Sequence, residues 1–262
     1  MSVEGPIDLV QQVRAHLESL QAAGVLLVPR GGPIAVPQLR LVPAPPPDAP
    51  ARPVAAAAPV PPADPLESRR RDLDVLRAEV AACDRCSELF STRTQAVFGS
   101  GALDPDVAFV GEAPGSAEDA QGEPFVGKGG DVLGRMIGAC GFTRAGVYLF
   151  NAIKCRPPKN RTPTSAECIN CRDFFRRQFE LVKPKHVVAL GPFVSRLLSG
   201  KNATLAELRG TVHQYRGVPL ICTHHPDDIE KDKTGRLKRE TGFDLKLLLS
   251  TLGREAPGAG AK

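Results

Sequence analysis

The chain has 262 residues, 42% hydrophobic and 24% charged, which gives enough apolar chain for a sizeable core and excludes a wholly disordered protein. Seven cysteines are too few for a disulfide scaffold, no apolar run approaches the ~18–20 residues of a membrane span, and a start holding Glu4 and Asp8 lacks the pattern of a secretory signal. The net charge of +5 lies wholly beyond residue 65, because the first 65 residues hold four arginines against five acids; this is compatible with a polyanionic partner without requiring one. The expectation is therefore a cytoplasmic protein without membrane contact. In a reducing compartment, an odd cysteine count points to a metal, a cluster or plain core use. With no tryptophan, stacking roles fall to Phe, Tyr or His.

In chain order, Ile7, Val10, Val13, Leu17 and Leu20 are spaced by threes and fours, predicting a short amphipathic helix in a segment 1–32 that could dock an unidentified protein partner. From Pro33 to Pro65 there are twelve prolines and nine alanines, predicting an extended, disordered linker over 33–67. A globular domain is expected over 68–253 and a disordered tail over 254–262. Within the domain, helix signals begin with Leu73, Leu76 and Val80. Four apolar runs read as buried strands: Val107–Val110, Val147–Phe150, His186–Leu190 and Val218–Thr223. Between them lie helical stretches at Val132–Cys140, Ser165–Val182, Phe193–Leu198 and Leu205–Leu208, and a last helix runs through Phe243, Leu245 and Leu248. Thr164 with Glu167, and Thr204 with Glu207, have the spacing of a capping box. Strands alternating with helices predict an α/β fold of three layers, with a central four-stranded parallel sheet flanked by helices.

In open α/β sheets ligands bind beyond the carboxyl ends of the strands. Those ends carry Gly111-Glu112-Ala113-Pro114-Gly115, then Asn151, then Gly191-Pro192, then His224-His225-Pro226. A carboxylate, a carboxamide and an imidazole are thus predicted to converge on one edge. The Gly-rich turn 111–115 is neither a P-loop nor a dinucleotide fingerprint. It continues into Glu118-Asp119 and Gly122–Gly130, read as a long functional loop in which Phe125 serves either the core or stacking. The run Lys154–Arg161 carries four positive charges and no acid, reading either as a solvated loop or as a phosphate contact. His225 reads as a site residue or a structural one, with His224 pointing to the opposite face.

Cys83 and Cys86 form one C-x2-C pair, Cys168 and Cys171 another, and Cys155 follows Asn151. Four thiolates suit zinc or an iron–sulfur cluster. Plain pairing favours zinc on Cys83, Cys86, Cys168 and Cys171; the alternative set is Cys83, Cys86, Cys155 and Cys171. Cys140 and Cys222 fall at apolar positions and read as buried small hydrophobes.

The strings GEAPG, EDAQGEPFVGKGG, NAIKCRPPKNRTP and RGTVHQYRGVPL, followed by His225-Pro226 and preceded by Cys83 and Cys86, resemble the family-4 iron–sulfur uracil-DNA glycosylases over residues 69–252. The resemblance implies a monofunctional enzyme acting as a monomer near the nucleoid. It would hydrolyse the N-glycosidic bond of deoxyuridine in single- or double-stranded DNA and leave an abasic site, the first step of base excision repair. It also implies a [4Fe–4S] cluster on Cys83, Cys86, Cys155 and Cys171. Roles carry over to Gly111, Glu112 and Ala113 (uracil and water), Phe125 (stacking), Asn151 (uracil edge) and His225 (carbonyl). Better-known uracil glycosylases carry an acid where this chain has Ala113, so water activation falls to Glu112 or to Glu118. Glu118 could instead sit near C5 with Asn160 as a partner. Lys128, Arg156, Lys159 and Arg161 are the expected DNA contacts. The family continues after His-Pro with Ser or Ala and a Leu-Leu-Arg wedge. Here Asp227-Asp228-Ile229 follows, which predicts weaker duplex binding or a single-strand preference, with Ile229 the remaining wedge candidate. Two other readings are a cluster-bearing DNA-binding paralogue without turnover and a zinc-stabilised nucleic-acid adaptor.

Overall fold

The computed structural model describes residues 64–255. The expected N-terminal helix, nearly all of the 33–67 linker and most of the 254–262 tail lie outside the described residues. Helix α1 (Pro65–Ala81) starts three residues ahead of the expected domain edge, because Asp64 caps it by accepting from the Leu66 N–H and Pro65 fits the first turn. Leu73, Leu76 and Val80 form its buried stripe. A short helix α2 (Ser87–Thr92) follows the first cysteine pair.

The strands are β1 (Ser100–Gly101), β2 (Ala108–Gly111), β3 (Tyr148–Asn151), β4 (Val187–Leu190), β5 (Val212–Tyr215) and β6 (Val218–Thr223), in spatial order β1-β3-β2-β4-β6-β5. The inner four pair in parallel, as the apolar runs predict. The sheet as a whole is mixed, which corrects the four-stranded parallel expectation: β1 and β5 add antiparallel edges. Neither edge could be read from an apolar run. β1 is two residues long, and β5 has only His213 buried. The β5–β6 hairpin turns on Arg216 and Gly217, both at positive φ, which is the two-residue geometry that matches strand twist.

Alternate strand residues serve opposite faces. Ala108, Val110, Phe150, Val187 and Ala189 pack under α1, α5 (Ser165–Val182), α6 (Pro192–Ser199) and α7 (Leu205–Leu208). Val107, Phe109, Leu149, Val188 and Ile221 pack under α4 (Gly127–Ala139) and α9 (Arg236–Thr251). Cys222 and Cys140 fall into these two cores respectively, as small hydrophobes. Both expected capping boxes form, at Thr164–Glu167 and Thr204–Glu207.

Strand β2 lies between β3 on one side and β4 on the other. The chain leaves β2 in one direction and later crosses to the other, so the crevice of a doubly wound sheet opens at the carboxyl end of β2. Gly111 stands there.

Candidate active site

The expected loop 118–130 is largely helical. Helix α3 (Ser116–Gln121) ends at Gly122 in the left-handed region, and α4 begins at Gly127, five residues ahead of the expected start. Three glycines make this possible at close quarters. A Cβ on Gly129 would overlap the Asp227 carboxylate, one on Gly130 the Phe125 carbonyl, and Gly127 has a φ of +76°. Phe125 itself adopts a φ of +53°, uncommon for a side-chain-bearing residue. It is clamped on both sides: Arg144 donates to the Pro124 carbonyl and the Val126 N–H donates to Glu118. Phe125 is 7% exposed and belongs to the core, and it also lines the crevice.

That crevice holds a cavity of about 300 Å³ lined by Glu112, Ala113, Glu118, Phe125, Asn151, Asn160, Arg161 and His225. The strand-end residues expected to converge do so. Gly111 and Asn151 are partners across the β2–β3 ladder. Asn151 is 2% exposed, and among the described residues no protein group bonds its carboxamide. The carboxamide is not one of the sealed polar groups without a partner; it is open to the crevice, where the polar edge of a ligand can pair with it.

His225 sits at the end of β6 and caps α8 (Pro226–Lys231), its Nδ1 accepting from the Asp227 N–H at 3.2 Å. An accepting Nδ1 fixes the tautomer with the proton on Nε2. Burial pushes the His225 pKa down, against the opposing pull of Asp227, Asp228 and Glu118. The strand end is pinned from the other face. Thr223 donates to Asp244 at 2.7 Å, His224 bonds Glu240 at 2.7 Å, and Arg209 bridges both acids. His224 is thus structural and faces away from His225, as alternation predicts. Gly191, at a φ of +93°, leaves room for the His225 ring; a Cβ there would stand 3.2 Å from the His225 Cβ.

The two candidate carboxylates differ sharply. Glu118 accepts from the Gly115 N–H and the Val126 N–H, each at 3.0 Å, so each oxygen braces a turn. Glu112 is half-buried, and burial raises its pKa against a hydrogen bond with Thr162 and the more distant charge of Arg196. Thr162 is a neighbour the sequence reading missed, although it lies within the NRTP string. Asn160 is held by Arg156, whose Nε donates to its Oδ1 at 2.7 Å, and it lines the same cavity as Glu118.

The basic run divides. Lys159 is exposed, and so is Lys128 in the first turn of α4. Arg161 bonds Glu167 and Glu88, each at 2.7 Å, and stays partly exposed at the lining of the crevice. Lys154 is 1% exposed and reaches no phosphate at all, a correction. Ile229 packs against the α4–α9 core and does not project as a wedge. Asp227, Asp228 and Lys231 stand on the rim, exposed.

Behind the crevice a second cavity, of about 20 Å³, is lined by Cys83, Cys86, Cys155 and Cys171 together with Arg85, Arg93, Lys154 and Asn170. Cys168 faces a separate apolar groove beside Ile169, Phe175 and Leu197. Arg93 donates to the Cys155 sulfur at 2.8 Å and Asn170 to the Cys86 sulfur at 3.4 Å. Burial pushes the Cys171 thiol up to about 12 and that of Cys155 in the same direction. Lys154 is pushed down to about 7 by burial, with Cys171 and Cys155 pulling it back. Four thiols surrounded by cations and amide donors form a donor set for an anionic, sulfur-ligated centre.

The model of the uracil DNA glycosylase superfamily matches residues 98–246. The type-4 uracil-DNA glycosylase of Thermotoga maritima is 35% identical over 192 residues, covering 72% of this chain and 100% of that protein. That of Archaeoglobus fulgidus is 35% identical over 193 residues, covering 71% of this chain and 96% of its own. The chain belongs to the type-4 uracil-DNA glycosylases. The match with a type-5 uracil-DNA glycosylase of Pyrobaculum aerophilum, at 40% identity, covers 44% of this chain and 48% of that protein. As a type-4 uracil-DNA glycosylase, the chain keeps the whole lining of its crevice, from Glu112 to Lys231, within the stretch that the superfamily model matches.

Proposed function

We propose that this chain excises uracil from DNA by hydrolysing the N-glycosidic bond, with Asn151 reading the base. The observation that carries this is the unpartnered Asn151 carboxamide, in one cavity with the Phe125 ring and the His225 imidazole. A carboxamide offers an acceptor to N3–H and a donor to O4 of uracil; cytosine presents the reverse pattern. A base turned out of the stack exchanges stacking and pairing for the Phe125 ring and these edge contacts. As the bond breaks, negative charge grows on the departing base, and the Nε2–H of His225 donates to its O2. Glu112 orients the attacking water and balances the sugar cation. Glu118 has both oxygens engaged by backbone and serves to hold Phe125 in place. Lys128, Arg156 and Lys159 supply phosphate contacts, while the Asp227-Asp228 rim and the inward Ile229 favour single-stranded substrate, where flipping costs less.

The four thiols of Cys83, Cys86, Cys155 and Cys171 fit a [4Fe–4S] cluster, and Cys168, turned to another groove, does not join them. Among the described residues no three His, Cys, Asp or Glu side chains group tightly enough for a single metal ion. Once bound, the cluster would tie α1, the segment after β3 and α5 together without taking part in bond cleavage. The test is uracil release from single- and double-stranded oligonucleotides by wild type, Asn151→Ala and Glu112→Ala. Release by wild type that both variants lose supports the assignment. DNA binding without release by the cluster-loaded wild type overturns it in favour of a binding-only paralogue.

A further inference from the structure

The ammonium of Lys154 has three N–H bonds and three acceptors: the carbonyls of Asn151 at 2.9 Å and Phe98 at 3.3 Å, and Gln178 Oε1 at 2.5 Å. Gln178 in turn donates to the Phe98 carbonyl at 2.9 Å and to the Tyr148 hydroxyl at 3.0 Å, so the network closes on itself. Every partner is neutral. Among the described residues no carboxylate pairs with Lys154, and the Phe98, Phe150 and Phe175 rings lie near its ammonium. A buried ammonium in apolar surroundings is strongly unfavourable without a counter-charge; the anion-forming groups that act on it are the sulfurs of Cys171 and Cys155, whose cavity Lys154 lines, while Glu167 of the same cavity is engaged by Arg161.

We propose that Lys154 is a positioning residue that couples the cysteine-bound cluster to uracil recognition: its charge is balanced by the cluster, and its hydrogen bond fixes the Asn151 backbone in the crevice. The inference rests on the [4Fe–4S] assignment and on uracil excision. It explains why a lysine stands at a site that neutral polar residues could satisfy at less cost. A thiolate-ligated cluster is anionic, so the ion pair forms only when the cluster is bound. Asn151 is then held from behind by the same group that answers the cluster's charge. Lys154 touches no substrate and acts through the main chain of its third neighbour upstream.

The experiment compares cluster-loaded wild type with Lys154→Met, and with Gln178→Met as a control that loosens the same network while keeping the charge. The readouts are visible absorption, cluster midpoint potential, and steady-state uracil release from single-stranded DNA. Removing a nearby positive charge disfavours the reduced cluster. Lys154→Met is expected to shift the redox equilibrium at least tenfold, which lowers the potential by about 59 mV. It should also cut kcat at least tenfold with little change in KM, since no DNA contact is lost. Gln178→Met should leave the potential near that of wild type. Gln178→Glu, which neutralises Lys154 in place at constant volume, is the second charge variant if Lys154→Met does not fold, and is expected to lower the potential in the same way. A wild-type potential in the charge variants, or a potential that falls equally in Gln178→Met, overturns the coupling. Absent visible absorption or absent release in the wild type is a different result, and overturns the cluster or the activity itself.

Discussion

The carboxamide oxygen of Asn151 lies 2.3 Å from the place a Cβ on Gly111 would occupy, and the Phe125 ring lies 2.6 Å from the same point. Gly111 is thus the joint at which the Asn151 amide, on the adjacent parallel strand, and the Phe125 ring, on the loop before α4, come together. Any side chain there displaces both. Gly111→Ala should leave the sheet intact, because its φ is ordinary, yet lower kcat/KM for uracil release by about 10²-fold, as misplacement of a reacting group by ~1 Å does. Circular dichroism together with a release assay checks it; unchanged activity would show that the crevice tolerates the shift.

Glu112 and Glu118 separate by their neighbours. Glu112→Gln should cost about 10²–10⁴-fold in kcat, the span of a lost general base. Glu118→Gln keeps an acceptor for one backbone N–H but weakens the brace on Val126, lowering stability by about 1 kcal/mol with a smaller loss of rate. Single-turnover kinetics with urea denaturation on both variants decides the assignment, and the reverse ranking would transfer the role of base to Glu118.

A stability consequence follows from the same burial. The folded pKa of Glu112 is raised, so its protonated form favours the fold. The favourable contribution is complete below the unfolded pKa of about 4.3 and is lost as pH rises through the folded value. At neutral pH the charge works against folding. Glu112→Gln should therefore melt higher than wild type at pH 7 while being slower, and the gap should close as the pH falls towards 4. Equal melting temperatures at both pH values would contradict it.

Activity should fade on the acid side through two groups. Glu112 must be ionised, with its pKa raised, and His225 neutral, with its pKa lowered. The window in which the two act is bounded by a carboxylate titration that burial shifts up and an imidazole titration that burial shifts down. Protonated His225 would also turn an N–H towards the Asp227 N–H that it now accepts from. The pH profile of kcat is expected to fall through these two titrations, and a profile flat down to pH 4 would exclude both roles.

Cys171→Ala should abolish the visible absorption of an iron–sulfur centre, whereas Cys168→Ala should keep it, because Cys168 lies in the groove with Ile169 and Leu197. Metal analysis of the purified variants checks it, and loss of iron in both would restore the paired-cysteine reading.

The inner strands were legible because each is a short apolar run closed by glycine, asparagine or histidine, and Thr164 and Thr204 announced their helices through Glu167 and Glu207. What escaped was the destiny of single polar residues. Lys154 stands in a basic run, and nothing local distinguishes it from Lys159; two of its three acceptors come from Phe98 and Gln178, far away in sequence. Arg161 was hidden in the same way by Glu88 and Glu167. The edge strands lacked the apolar signature because one or both of their faces meet solvent. Ile229 would pass for a wedge in any linear reading, since only the packing of α8 on α4 turns it inward.

The four strand ends that frame the crevice enter the chain at residues 111, 151, 191 and 225, and the last of them comes on a strand inserted between β4 and the hairpin edge. No shorter stretch holds the whole lining of the pocket. A chain still being synthesised lacks the His225 side of the crevice until β6 has emerged and inserted beside β4. Cleavage of glycosidic bonds in DNA is hazardous if uncontrolled, and here the full set of crevice residues comes together only with the last strand to enter the sheet.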